Sequence, residues 1–101
     1  MDIQKFTIKS QEAIQQAEQL ATAKGHQAVE NVHLLKGILN ADKDVVPYLF
    51  SKLNVNTTIV EQTLDRMLDA TAKVSGGQLY LSPNAQKTLN NAFVEMKKGP
   101  A

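Results

Sequence analysis

The sequence of 101 residues contains no cysteine, so neither a disulfide framework nor a thiolate metal site is open to it, and a reducing compartment is compatible with it. It lacks an excess of charge. Eleven basic against ten acidic side chains leave +1, which is neither the basic footprint of a nucleic-acid binder nor an acidic tail. It also lacks a long apolar run: Met1-Asp2-Ile3-Gln4-Lys5 does not open like a signal peptide, and no stretch approaches the ~18 apolar residues of a membrane span. A soluble cytoplasmic protein with no nucleic-acid and no membrane partner is expected. Gly76-Gly77 lacks the Gly-x-x-x-x-Gly-Lys-Ser/Thr pattern that cradles a nucleotide, so no nucleotide or other cofactor is expected in this chain.

What is present is helical periodicity with well-marked ends. A chain of this length makes one domain, which buries roughly 65% of its unfolded surface without metals or disulfides. Thr7 is placed to cap a first helix over residues 8–24, with Ala13, Ile14, Ala17, Leu20 and Ala21 at helical spacing and Gly25 as its stop. Asn31 can cap the next helix, so two helices meet at a tight corner. In that second helix Val32, Leu35 and Leu39 form one stripe, while Leu34 and Ile38 widen it beyond what a surface helix needs. It is expected at the centre of the domain.

Further on, Asp44 can cap a short helix through Val45-Val46-Pro47-Tyr48-Leu49-Phe50, where proline is tolerated in the first turn. Asn56 caps a fourth helix, flanked by Val55 and Val60 at the spacing of a hydrophobic staple. Its expected buried positions are Ile59, Val60, Leu64, Met67 and Leu68, with Glu61, Asp65, Arg66 and Asp69 in water. The pattern breaks over residues 73–80, a connector with paired glycines. Then Ser82-Pro83 announces a fifth helix with a stripe of Ala85, Leu89, Ala92, Phe93 and Met96, stopped by Gly99-Pro100. Five helices and no convincing strand make an all-α fold.

A shift of 75 residues lays Phe6-Thr7 over Leu81-Ser82, Gln11 over Gln86, Ile14 over Leu89 and Ala17 over Ala92. The fifth helix looks like a second copy of the first. On this reading residues 1–72 are a first repeat, 73–80 a connector and 81–101 the start of a second repeat.

Chemistry-bearing residues are few. His26 and His33 are the only histidines, and a metal site needs three or four convergent ligands. His26 is expected exposed in the corner and His33 in the first turn of the second helix. Glu61, Asp65 and Asp69 at four-residue spacing read as a solvated helix face rather than an acid–base pair. Lys97-Lys98 suits a helix C-terminus, and Ser82 is accounted for as a cap. No catalytic, metal or cofactor-binding residue is expected, so the chain is not an enzyme. What remains is apolar surface. Phe6, Val29, Tyr80, Leu81, Leu89 and Phe93 are either ordinary core or the lining of a groove, between the first helix and its copy, that holds an extended peptide.

Phe6-Thr7-Ile8-Lys9-Ser10-Gln11-Glu12-Ala13, the Glu30-x-x-His33-Leu34-Leu35 corner, Val45-Val46-Pro47, Lys52-Leu53-Asn54-Val55-Asn56 and Lys73-Val74-Ser75-Gly76-Gly77 resemble the N-terminal Clp repeat domain of ClpB-type AAA+ disaggregases. The resemblance covers nearly the whole chain in order. It implies a helical bundle of two pseudo-repeated four-helix units, tethered to an ATPase ring, that engages exposed apolar segments of unfolded or aggregated proteins. Related Clp unfoldases, working with a protease, dock adaptors on a similar domain, and this is the alternative function. Thr7 matches a position implicated in substrate engagement and Leu89 an apolar position in the groove, while Asn91 stands where some relatives are apolar. The implied peptide-binding set is Thr7, Phe6, Tyr80, Leu81, Leu89 and Phe93. The family's second-repeat groove residues have no counterpart before Ala101, so a fragment is expected. Its fifth helix would either fold back on the first or pair with another copy as a dimer.

Overall fold

Thr7 begins the first helix as a hydroxyl cap should: its Oγ1 accepts the Ser10 N–H at 3.2 Å and donates to Ser10 Oγ at 3.0 Å. The computed structural model describes residues 7–74 and 76–98, with side chains through Glu95. Helix α1 spans Ile8–Ala23 and ends where Gly25 takes φ +75°, a conformation that costs glycine little. Then come β1 (Ala28–Val29), α2 (Asn31–Ala41), α3 (Val45–Lys52), α4 (Thr57–Ala70), β2 (Tyr80–Leu81) and α5 (Pro83–Lys98).

The α1–α2 crossing is close because both helices present small residues. Ala13, Ala17 and Ala21 are buried on α1, and a Cβ on Gly37 of α2 would collide with the Ala13 carbonyl oxygen. This approach rotates α2 away from the expected stripe: His33, Leu34, Gly37 and Leu39 are buried, whereas Val32 and Leu35 are only partly so and Ile38 is exposed. The helix is central, but it is packed through a glycine that carries no hydropathy signal. Its N-cap is Glu30 rather than Asn31: Glu30 is still extended while its carbonyl accepts the Leu34 N–H at 3.1 Å, and its own N–H donates to His33 Nδ1 at 2.9 Å.

Two further expectations are corrected. Asp44 does not cap α3: Asp42 Oδ1 does so from two residues upstream, accepting the N–H groups of Asp44 at 2.9 Å and Val45 at 2.8 Å. These bonds, with Lys9 nearby, hold the Asp42 carboxyl below its ordinary range. On α4, Asn56 does cap, accepting from Ile59 N–H at 3.2 Å, but only Leu64 and Leu68 are buried. Ile59 is 59% and Met67 52% exposed because α4 meets α2 along one narrow line, beside which Lys36 pairs with Asp65 at 3.0 Å. Among the described residues α3 buries none of its side chains.

The expectation of no strand also needs amendment. Ala28 pairs with Tyr80 and Val29 with Leu81 in a two-rung parallel bridge, too short to show a period of two in sequence. Tyr80 N–H donates to the Gln27 carbonyl and Ser82 N–H to that of Val29, both at 3.0 Å. Ser82 Oγ then accepts the Ala85 N–H at 3.0 Å, with Pro83 at the first helical position. The bridge therefore sets where α5 starts. From there α5 folds back on α1: Ala85 and Leu89 join Ile14, Ala17, Ala21, Val29 and Leu34 in one buried cluster, with Leu81 packed against it. Ala92 is exposed and Phe93 partly buried. The Met96 side chain and the Gly99-Pro100 stop lie outside the described residues.

His26 is the clearest reversal. Far from exposed, it is 4% accessible and lies against His33, ring nitrogens 2.9 Å apart and planes inclined at 71°. Its burial follows from the corner: the turn after Gly25 folds back over the first turn of α2, where His33 stands.

Candidate functional site

An open groove of about 330 Å³ runs between α1, α2 and α5. Ala13 and Ile14 of α1, Leu34 and Ile38 of α2 and Leu89 and Ala92 of α5 contribute to its lining, so the surface it offers is mostly hydrocarbon. Lys9 and Asp42 also line it, and the lysine's charge acts on the carboxylate, giving the groove one cationic and one anionic group. A second hollow of about 330 Å³ lies on the other side of Ile14, bounded by Glu18, Val29, Leu79, Tyr80, Leu81 and Gln86.

The residues singled out in the sequence are thus divided between two places. Leu89 lines the first groove, Tyr80 and Leu81 line the second hollow, and Thr7 and Phe93 line neither. Thr7 reaches the first groove only through Ser10, to which its hydroxyl is bonded and which does line it. Phe6 lies outside the described residues. Leu34, Ile38, Lys9 and Asp42 were not singled out as site residues. The signal for two of them was present: Leu34 and Ile38 are the pair that makes the apolar arc of α2 too wide, and the excess arc is a groove wall.

The arrangement can bury apolar side chains. Among the described residues no group of three or more His, Cys, Asp or Glu side chains is placed to hold a metal ion. No described helix is long and apolar enough to cross a membrane.

Comparison with known proteins gives this groove its setting. Residues 5–99 match the Clp repeat (R) N-terminal domain. The chain belongs to that family. The chaperone protein ClpB of Bacteroides thetaiotaomicron is 39% identical over 92 residues, which cover 91% of this chain and 11% of that protein. The ClpB of Porphyromonas gingivalis is 38% identical over the same shares, and that of Bacillus cereus 33% identical over 97% of this chain and 12% of its own length. The chain therefore spans about one-ninth of the length of these relatives. The Clp repeat N-terminal domain is a non-catalytic helical domain, in line with the five helices among the described residues.

Proposed function

We propose that this Clp repeat domain is the client-binding module of an ATP-dependent, ClpB-like disaggregase. It takes exposed apolar segments of unfolded or aggregated polypeptides into the groove between α1, α2 and α5 and passes them to the AAA+ ring of its own longer protein. The domain contributes no catalysis and uses no cofactor. The supporting observation is the groove itself, apolar along Ala13, Ile14, Leu34, Ile38 and Leu89 and open to solvent. At about 330 Å³ it sits at the low end of the ~300–1,000 Å³ typical of ligand pockets, so it receives only a few side chains. Each fully buried aliphatic side chain contributes about 1.5–3 kcal/mol before ordering costs. Capture is accordingly weak and tolerant of sequence, which suits a module that must release its client.

The reading extends to domain organisation: residues 1–72 form a first repeat, 73–80 a connector, and 81–101 open a second repeat. In its support, Thr7 and Ser82 cap α1 and α5 in the same way, and the matched positions Ile14 and Leu89 share one buried cluster.

The test is a titration of the domain with a reduced, alkylated protein that cannot refold, followed by amide chemical shifts. Shifts are expected at Ala13, Leu34 and Leu89. The Ile38→Asp variant, altered at an exposed groove position, should bind about tenfold more weakly, the equivalent of ~1.4 kcal/mol. Shifts confined to Tyr48, Leu49 and Leu53, or unchanged binding by Ile38→Asp, would count against the groove.

A second reading has its own support. Tyr48, Leu49 and Leu53 are exposed on and just after α3, outside the groove lining, and suit docking of a folded adaptor in a protease-associated Clp unfoldase. Binding of folded adaptor, but not of denatured client, would favour it.

A further inference from the structure

The two histidines form a directed hydrogen-bond chain whose proton positions can be derived. A backbone N–H only donates, and that of Glu30 lies 2.9 Å from His33 Nδ1, so Nδ1 carries no proton. Neutral His33 therefore holds its proton on Nε2 and donates it to His26 Nδ1, 2.9 Å away. His26 Nδ1 being an acceptor, its own proton sits on Nε2, a buried atom with no hydrogen-bond partner among the described residues. Each accepting nitrogen is thereby specified for the neutral rings alone. A proton added to His33 Nδ1 would face the Glu30 N–H, and one added to His26 Nδ1 would face the His33 Nε2–H. Either way, acid replaces one of the two bonds with two opposed donors inside the fold.

The chain's position gives this clash somewhere to go. The backbone just beyond Gly25 is the rail on which the connector and α5 hang: Gly25 accepts from Val74, Gln27 from Tyr80 and Val29 from Ser82. His26 anchors the near end of that rail and the Glu30–His33 cap its far end. Ser82 in turn starts α5, which carries Leu89 into the groove wall.

We propose that the His26–His33 pair is a proton-operated latch, closed while both rings are neutral, whose protonation frees the β1–β2 bridge and with it the first turn of α5. The ionisable groups acting on His33 are His26 from the corner and Glu30 from the cap. Around them stand the Lys24–Asp69 ion pair at 3.3 Å, bridging the end of α1 to α4, the Lys73 side chain of the connector beside Gly25, and the exposed Tyr80 of β2. Burial, then the neighbouring His26, hold His33 below its ordinary pKa of 6.5, with Glu30 opposing. Because the folded value is the lower one, unfolded or opened chain binds the proton first. Stability from this site is full above about pH 6.5 and drains as the pH falls below it. The latch concerns where α5 sits and does not depend on client capture, so its test needs no client.

That test is amide hydrogen exchange on the whole chain, corrected for intrinsic rates, between about pH 7.5 and pH 5. Protection at Tyr80 and Ser82 should fall by up to about tenfold per pH unit, the limit for one linked proton, and at every pH stay below that of Leu68 in α4, which exchanges only when the whole domain opens. His33→Gln retains an acceptor for the Glu30 N–H, as a capping box does, but cannot titrate, and should flatten the fall. Constant protection in the parent chain, protection at Tyr80 no lower than at Leu68, or an undiminished fall in His33→Gln would overturn the latch. If His33→Gln does not fold, the parent's imidazole nitrogen shifts decide: at pH 7.5 both rings must be the Nε2–H tautomer, and any other pattern overturns it.

Discussion

The α1–α2 corner and the α3–α4 hairpin carry comparable amounts of hydrocarbon and use it in opposite ways. At the corner, small residues and a buried imidazole pair let two backbones approach until one glycine is the only residue that fits. On α3 and its approaches, Val45, Tyr48, Leu49 and Leu53 stand in water, and Lys52 lies over the Tyr48 ring at 5.4 Å from its centre. Apolar content alone therefore does not locate the core of this domain. Closeness of approach does.

The contrast can be broken most severely at Leu39, which is 2% accessible. Leu39→Ala should cost about 2–5 kcal/mol in denaturant unfolding, whereas Leu53→Ala, at a residue 71% exposed, should stay within about 0.5 kcal/mol. Equal costs would mean that the hairpin is packed as tightly as the corner. Next comes Gly37→Ala. Alanine is the better helix former by about 1 kcal/mol, yet its methyl group meets the Ala13 carbonyl, so a net loss of about 1–3 kcal/mol is expected. A stabilised variant would show that the helices can separate without penalty.

Removing the cap of α5 by Ser82→Ala should cost about 1 kcal/mol, seen as earlier thermal unfolding with α5 amides exchanging first. The smallest effect belongs to Asp42, whose folded carboxyl titrates below its ordinary value of 3.8 because it accepts two N–H bonds. Its contribution is present above about pH 3.8 and vanishes as the pH falls through the folded value. Asp42→Asn should lose part of that acid dependence, and an unaltered unfolding profile below pH 4 would show that the bonds carry no stability.

How much of this was legible follows the range of the forces involved. Thr7, Asn56 and Ser82 were readable as caps because a cap is settled within four residues. The family resemblance was readable for a similar reason, as short motifs in order along the chain. Asp44 was read as the cap of α3 because it occupies the ordinary cap position, and only the backbone path of the turn favours the Asp42 carboxylate. Ile59 and Met67 have the right spacing to be buried, but spacing cannot say how wide the neighbouring surface is. His26 was placed in solvent because a polar residue after a helix stop normally is, and its partner is a turn away on another helix. Of the groove, Leu89 was legible through the family resemblance and its place on the apolar stripe of α5. The walls from α2 were not, since they depend on how Gly37 seats that helix on α1.

The two-rung bridge has a consequence for the order of assembly. Pairing Val29 with Leu81 encloses α2, α3, α4 and the connector in a single loop, whereas the α1–α2 hairpin closes across a handful of residues. Chain entropy is repaid early for the hairpin and late for the bridge. In pulse-labelling during refolding, the Leu34 amide should be protected before that of Tyr80, leaving α5 the last piece to find its seat.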